Sequence, residues 1–585
     1  MTLYKQRPLS TDRPSFRLLE LDLSIDVASV DNIVLHARLD TYDLRDGLDY
    51  DALSYTWGAD DVLARIKVND EWTLVRQNLL KALQQLRLNQ RKTVNSRKLW
   101  VDALCINQSD NVEKSHQVML MRDIYVNASR VLAWLGEPDG LSAVAFDTLE
   151  RFAVDDGTQD GSATYRDIQD TAKERKMAVQ LFLERSYFVR MWTIQEVVVA
   201  RKVTVYCGSL ALDYDRMHNA TRRMTGSGFY PFSRATTNLT YVGNWRASYL
   251  EMSASDREEN LGLRLFLDSR DRIATDPRDK IYSLRGIANT ALTAAIKVNY
   301  DNSVERVYTD FCKRVLRIRP DLLILSAVIL RHRTTSIFGL PSFVPDWSLP
   351  KYGGGILQRY YRFKPAHLFR AAGATTPHVI MEEHSDVINL EGLRVDTVAR
   401  IIPIKSILAA KENSSVSVTE TSLQDLAQEV LASDTYHISG ESSWIAFFRT
   451  LTADRTALSP RISDEYRSQY FTAFHRWSSH ASTSEGQNLP PPAWVEISKD
   501  IGTIIEDKDM FVTTKGYLGL GHEGFQVGDV VTIFSGGEVP YLLREIAPEK
   551  KSAFQFLSEC YVHGVMNGEV MNNPKRNPLE QISLE

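Results

Sequence analysis

What most constrains the fold of this chain is an alternation. Between residues 50 and 210, short apolar strands take turns with helical stretches. Tyr50–Gly58 sets Leu53, Tyr55 and Trp57 against small polar residues, and Gly58 ends the strand in a sharp turn. Ile66–Val68 and Trp72–Val75 read as a hairpin. Asn78–Leu88 is a helix with a Leu79, Leu83, Leu86 stripe. Leu99–Ile106 is apolar enough for a central parallel strand, interrupted by Asp102. Asp110 and Glu113 have capping-box spacing. The helix they begin runs through Val118, Met121, Ile124 and Tyr125 to an αL stop at Asn127. Val131–Leu135 is a third strand, and Leu141–Phe152 and Lys176–Leu183 are helical. This order predicts a parallel α/β sheet with helices on its faces.

The stretch Arg185–Ser209 (RSYFVRMWTIQEVVVARKVTVYCGS) reads as a helix that runs into a strand. Phe188, Trp192 and Val199 recur at helical spacing, with Glu196 on the same face. Val203, Val205 and Cys207 then alternate with Thr204 and Tyr206. A carboxylate in line with Trp and Phe costs several kcal/mol unless it is paired, hydrogen-bonded or left facing a pocket. Two readings are open. Glu196 is a structural carboxylate partnered by an arginine such as Arg190 or by backbone N–H groups, or it is a catalytic acid.

The totals exclude several classes. A chain of 585 residues is too long for one core, so three or four domains are expected. Net charge is −5, which gives no nucleic-acid footprint. Cys105, Cys207, Cys312 and Cys560 lie far apart with no CxxC pair, a reduced intracellular pattern and not a zinc site. No HExxH or comparable metal spacing occurs, and His475 and His480 around a Trp are incidental. The N-terminus lacks an apolar signal region and no run of 18 apolar residues occurs, so no membrane span and a cytoplasmic location are expected.

Three blocks are specific enough to name a family. ALSYTWG (52–58), LWVDALCINQ (99–108) with its downstream RDIYVNASRVLAWLGE (122–137), and RMWTIQEVVVARKVTVYCG (190–208) resemble the signature blocks of the fungal heterokaryon incompatibility (HET) domain. ATDPRDKIYSLRGI (274–287), LPSFVPDWS (340–348) and the C-terminal CYVHGVMNGE (560–569) resemble the body of large proteins that carry it. The resemblance implies fungal non-self recognition and regulated cell death. It also implies a distant likeness to TIR domains, and hence a TIR/flavodoxin-like sheet. Trp192-Thr193-Ile194-Gln195-Glu196 resembles the W-x-x-x-E helix whose glutamate is catalytic in TIR NAD hydrolases. By that resemblance Glu196 is the catalytic residue. Ser54, Trp57 and Gly58 map near the loop after the first strand, and Asp102, Asn107 and Gln108 near the loop after the second. Trp192 and Gln195 flank the carboxylate. The turn after Ser54 lacks the basic residue of the TIR pattern, and Gln195 has no TIR counterpart.

The implied substrate is an NAD-type nucleotide, with no cofactor and no metal. An ionised carboxylate near the ribose stabilises an oxocarbenium-like transition state. The other function class is a non-enzymatic signalling scaffold that acts through protein partners or self-association. Asn107 and Gln108 also fit a plain turn and helix cap.

The domain boundaries expected are 1–48 for strands packing on the HET domain, 49–212 for the HET domain, 213–350 for a mainly helical region, 351–385 for a linker around Gly353–Gly355, and 386–585 for a β-rich domain. The last holds a partly mobile insert at about 411–495, with Ser/Thr-rich 411–424 and 479–494. Val387–Val398 reads as a β-hairpin opening that domain. Asp276–Lys280 reads as an interdomain salt-bridge node. Gly519-Leu520-Gly521-His522-Glu523-Gly524 is a formal G-x-G-x-x-G between strands, so its glycines are turn residues and no nucleotide site is assigned to it.

Overall fold

A computed structural model describes residues 2–10, 12–23, 34–58, 63–93, 98–154, 161–229, 234–251, 254–287, 290–293, 296–319, 321–329, 339–349, 368–382, 385–404, 426–427, 430, 435–454, 501–502, 504–546, 553–571 and 578–585. Gly353–Gly355, His475, His480 and the stretches 411–424 and 479–494 lie outside these residues. The chain divides into two compact units, Met1–Ser303 and Val304–Glu585. The division falls inside the region 213–350.

The first unit is built on a nine-stranded mixed sheet. Its strands are β1 (Ser15–Leu21), β2 (His36–Asp43), β3 (Tyr50–Tyr55), β4 (Leu63–Val68), β5 (Glu71–Arg76), β6 (Lys98–Trp100), β7 (Arg130–Trp134), β8 (Val203–Cys207) and β9 (Leu210–Asp213), in the order β5-β4-β2-β1-β6-β3-β7-β8-β9. The sheet is therefore not purely parallel. β6-β3-β7-β8 form a parallel centre, β2 and β4 also pair parallel, and β1 pairs antiparallel with both β2 and β6. Taken alone, the four central strands run second-first-third-fourth in chain order, the arrangement of doubly wound sheets. All six residues of β3 are buried, as a strand covered on both faces requires.

Two sequence expectations change here. The strand over Leu99–Ile106 stops at Trp100, because the backbone turns into a short helix, Asp102–Cys105. Asp102 takes the Ala103 N–H (2.7 Å), and the Val101 carbonyl accepts from Leu104 and Cys105. The helix over 185–199 is two short pieces, a 3₁₀ turn Ser186–Val189 and a helix Thr193–Val198. Between them Met191 N–H donates to the Ile273 carbonyl (2.8 Å) and Ile273 N–H to Val189, so the chain is briefly strand-like at Arg190.

The caps are also adjusted. Asp110 accepts from Val112 and Glu113 N–H, but Glu113 does not close the box. Its carboxylate instead forms a bidentate pair with buried Arg17 (2.7 and 2.9 Å). Asn127 is not left-handed, and the helix Asn111–Asn127 ends on Ala128 N–H to the Ile124 carbonyl.

Helices Tyr214–Gly226, Arg234–Glu251 and Ala254–Ser269 follow the sheet. The Asp276–Lys280 turn bonds within the first unit, and its Asp279 ties to Trp192 of the 49–212 region (2.9 Å). Arg278 pairs with Asp276 (2.8 Å) and donates to the carbonyls of Tyr300 and Asn302, while Lys280 donates to those of Arg270 and Arg272, all inside the first unit.

The second unit begins with helix Val304–Ile318 and closes on a small barrel. Its strands are β10 (Val379–Met381), β11 (Ile388–Ile402), β12 (Lys508–Thr513), β13 (Leu518–His522), β14 (Val530–Phe534), β15 (Tyr541–Glu545), β16 (Ala553–Val562) and β17 (Glu580–Leu584). The β11–β14 pairing closes the ring. Val387–Val398 is not a hairpin. β11 is one long strand whose register shifts near Asp396 and Arg400 let it serve two parts of the barrel. Gly392, which reads as a turn, is a close approach: a Cβ there would lie 2.8 Å from Phe534. Gly519 and Gly521 of the G-x-G-x-x-G likewise lie in β13, pressed against Phe511 and Leu542.

Among the described residues no helix is long and apolar enough to cross a membrane.

Candidate active site

Open α/β sheets bind ligands beyond the carboxyl ends of their strands, where strand order reverses. In the central sheet that place is β3, flanked by β6 and β7. Ser54 is the penultimate residue of β3 and is buried. Trp57 and Gly58 follow β3. Asp102 follows β6. These groups gather at one end of the sheet.

Glu196 comes to the same end from the helix Thr193–Val198. The Ser54 hydroxyl donates to its Oε2, and Tyr187 Oη lies 2.8 Å from Ser54 Oγ. With Glu196 ionised, the consistent direction is Tyr187 to Ser54 to Glu196. Glu196 itself is 2% exposed. Burial pushes its pKa up to about 7, against the pull of Arg190 and the Ser54 hydrogen bond, with Asp102 adding to the rise. Arg190 is thus an electrostatic neighbour of Glu196, while its ion pair is with Asp102 at 3.7 Å and it donates to the Tyr55 carbonyl. Burial works against the Arg190 charge, but Glu196 and Asp102 outweigh it and raise its pKa.

The other residues divide into two sets. Trp57 joins the cluster: its Nε1 donates to Asp102 Oδ2 (2.8 Å), and the Arg76 guanidinium lies 4.9 Å from its ring. Gly58 sits at φ +78°, a left-handed turn that suits glycine, with a Cβ position 3.4 Å from Asn78. Asn78 fixes that turn, donating to the Thr56 carbonyl (2.7 Å) and accepting from Trp134 Nε1 (2.9 Å).

Asn107, Gln108, Gln195 and Trp192 turn to local tasks. Asn107 N–H donates to Glu113 (2.6 Å), and its side chain accepts from Ser109 N–H (3.3 Å). Gln108 donates to the Asp102 carbonyl (3.0 Å). Gln195, oriented to satisfy both of its amide atoms, meets the Ser283 carbonyl (3.1 Å) and the Arg122 N–H (3.3 Å). Trp192 Nε1 donates to Asp279 Oδ2 (2.9 Å), whose other oxygen accepts from Tyr300 (2.7 Å). Burial lifts the Asp279 pKa to about 6 despite those two bonds.

The short helix needs support, because six residues leave most of its carbonyls without intrahelical partners. Arg246, 1% exposed, provides it by donating to the carbonyls of Val197 (2.9 Å) and Ala200 while pairing with Asp215 (2.8 Å).

Tyr187 joins the site, and Asp279 anchors Trp192 beside it, without a local signal in the sequence. Tyr187 reads there as one aromatic among several, and Asp279 as part of a charged turn. Chemically the cluster offers a carboxylate near its neutral point, a hydroxyl chain to it, and a half-buried guanidinium beside it.

Residues 50–196 match the family model described as heterokaryon incompatibility protein (HET), and residues 499–579 match the model of the Het-6 beta-barrel domain. Heterokaryon incompatibility protein 6, OR allele, of Neurospora crassa is 24% identical over 677 aligned positions, which cover 98% of this chain and 97% of that protein. No solved structure matches the chain.

Proposed function

From the premise that this chain is a HET-domain protein, we propose that it acts in fungal non-self recognition and cell death, and that it does so as a TIR-like NAD glycohydrolase centred on Glu196. The observation that carries the chemistry is the meeting of Glu196 with Ser54 at the carboxyl end of β3, where the order of the parallel strands reverses. A buried carboxylate whose pKa is lifted to about 7 costs stability that a purely structural site does not need. In its ionised form it would stabilise the positive charge that develops at the ribose when the nicotinamide bond breaks. Ser54 and Tyr187 hold it in one rotamer, and Arg190 favours its ionised form. Trp57 and Asp102 lie beside Arg190 at the same strand ends.

One observation favours a scaffold that acts by assembly. Glu196 is 2% exposed, and a nucleotide reaches it only if the surrounding residues rearrange. The discriminating measurement is nicotinamide release from NAD by the purified chain at high concentration, beside Glu196→Gln. Release by the wild type, lost in the folded variant, is the expected result. Release by neither moves the function to the scaffold.

A further inference from the structure

Among the described residues, the outermost strand of the nine-stranded sheet has an unpaired edge. β5 terminates the sheet and pairs with β4 through six residues with no register shift. The ribbon has one covered face: Ile66, Val68 and Val75 are buried. Its other face is bare, with Leu63 53%, Trp72 56% and Leu74 59% exposed. Long apolar edge strands are templates for another strand, and proteins usually shorten, bulge or charge them. The opposite edge, β9, follows that rule with four residues and a buried Leu212. β5 has no proline and no bulge, and puts Trp72 and Leu74 on the outer line. Exposed Arg65 and half-buried Lys67 sit one strand inward, on β4, with Lys67 Nζ 5.4 Å from the Trp72 ring.

We infer that β5 is a self-association edge that pairs antiparallel with β5 of a second copy. The sequence is self-complementary in that arrangement. Centred on Thr73, it sets Trp72 of each copy opposite Leu74 of the other, on the bare face, and extends the two sheets into one. Directly opposed side chains in an antiparallel pair lie about 4.5–5.5 Å apart at Cβ, close enough for Trp–Leu contact. A second copy fits this seam better than an acidic segment does, because its centre at Trp72 and Leu74 is apolar, its own charges, Glu71 and Arg76, lie at the two ends of β5, and Arg65 and Lys67 lie behind it on β4. The inference is independent of the Glu196 reading.

Sedimentation of the full chain between about 1 and 100 μM tests it, since weak specific contacts fall in this range. A monomer–dimer equilibrium is expected. Leu74→Arg should weaken dimerisation at least about thirtyfold, because it places two like charges at the seam. Leu181→Arg, at an exposed leucine elsewhere, should leave it unchanged. Thr73→Cys should give a disulfide-linked dimer on mild oxidation, and the four native cysteines are buried, which keeps the background low. A chain that stays monomeric throughout overturns the inference, as does a dimer that survives Leu74→Arg. So does a monomer that binds anionic phosphatidylserine vesicles through Trp72, which would assign the face to lipid.

Discussion

Glu196 and Asp279 of the first unit and Glu441 and Asp507 of the second meet burial in opposite ways, although the first unit also pairs buried Asp51 with Arg130 (3.0 Å). In the first unit Glu196 and Asp279 are buried with hydrogen bonds but without a salt bridge of their own, and burial lifts their pKa values to about 7 and about 6. In the second unit, burial pushes on half-buried Glu441 and buried Asp507 too, but pairing wins. Glu441 accepts from His563 and Ser439 and pairs with Arg449 (3.2 Å), which brings it down to about 2. Asp507 contacts Lys508 (2.6 Å) and His522 (3.1 Å), and sits well below the usual carboxylate range. Depth alone therefore does not mark a functional carboxylate. What separates the two regions is whether the neighbours compensate the charge. The barrel's charges act as fasteners. The charge on the short helix beside β3 is left partly uncompensated at the place where such sheets bind ligands.

The contrast is sharpest where a barrel fastener is cut. Asp507→Ala takes the carboxylate from Lys508, whose side chain is fully buried, and from His522. The expected cost is about 3 kcal/mol, typical of breaking a buried pair from one side. Loss of hydrogen-exchange protection in β12 and β13 measures it, and unchanged protection would erase the distinction between the units.

The opposite sign is expected at Glu196. Its folded pKa is raised from 4.5 to about 7, so its favourable state is the protonated one. That contribution is complete below about pH 4.5 and is lost as pH rises through about 7. Gln cannot ionise and escapes the loss. Glu196→Gln should thus gain on the order of 2–3 kcal/mol at pH 8 and nothing at pH 4, read as a pH-dependent difference in thermal unfolding. A uniform loss at both pH values would make Glu196 a structural residue. If the glycohydrolase reading holds, nicotinamide release should rise with pH through about 7 as the carboxylate ionises.

The smallest effect is expected at Glu441. Its depressed pKa supplies stability above the ordinary carboxylate range, lost as pH falls through about 2. Glu441→Gln keeps a hydrogen bond to His563 but drops the charge assistance, so a loss of about 1 kcal/mol at pH 7 is expected. The difference should vanish in acid, which an acid-unfolding titration of both proteins reads directly.

The sites were legible to different degrees. Ser54, Trp57 and Asp102 announce themselves as polar or aromatic residues at strand ends, and the structure gathers them with Glu196. Asn107 and Gln108 carry the same local signature, yet they fold back on Ser109 and Asp102. A strand-end position is a property of the chain, but the direction of a side chain is set by what it can bond. Helical spacing through Phe188, Trp192 and Val199 concealed the break at Arg190, because the pairing with Ile273 comes from 83 residues away (273 − 190). Likewise nothing local in VINLEGLRVDTV distinguishes a turn glycine from one pressed against Phe534.

By itself the sequence determined most of the element order, the parallel centre and the β-rich character of the C-terminal domain, since periodicity and turn residues act over a few positions. It also marked Glu196 as out of place among apolar neighbours. The tertiary structure decided what that carboxylate is. Ser54 lies 142 residues from it, Tyr187 reaches it through Ser54, and Arg190 is shared with Asp102. Desolvation and Coulomb terms depend on everything packed around a charge, wherever it lies along the chain. That is why the pKa of Glu196, and with it the candidate chemistry, appears only once the sheet and the short helix meet.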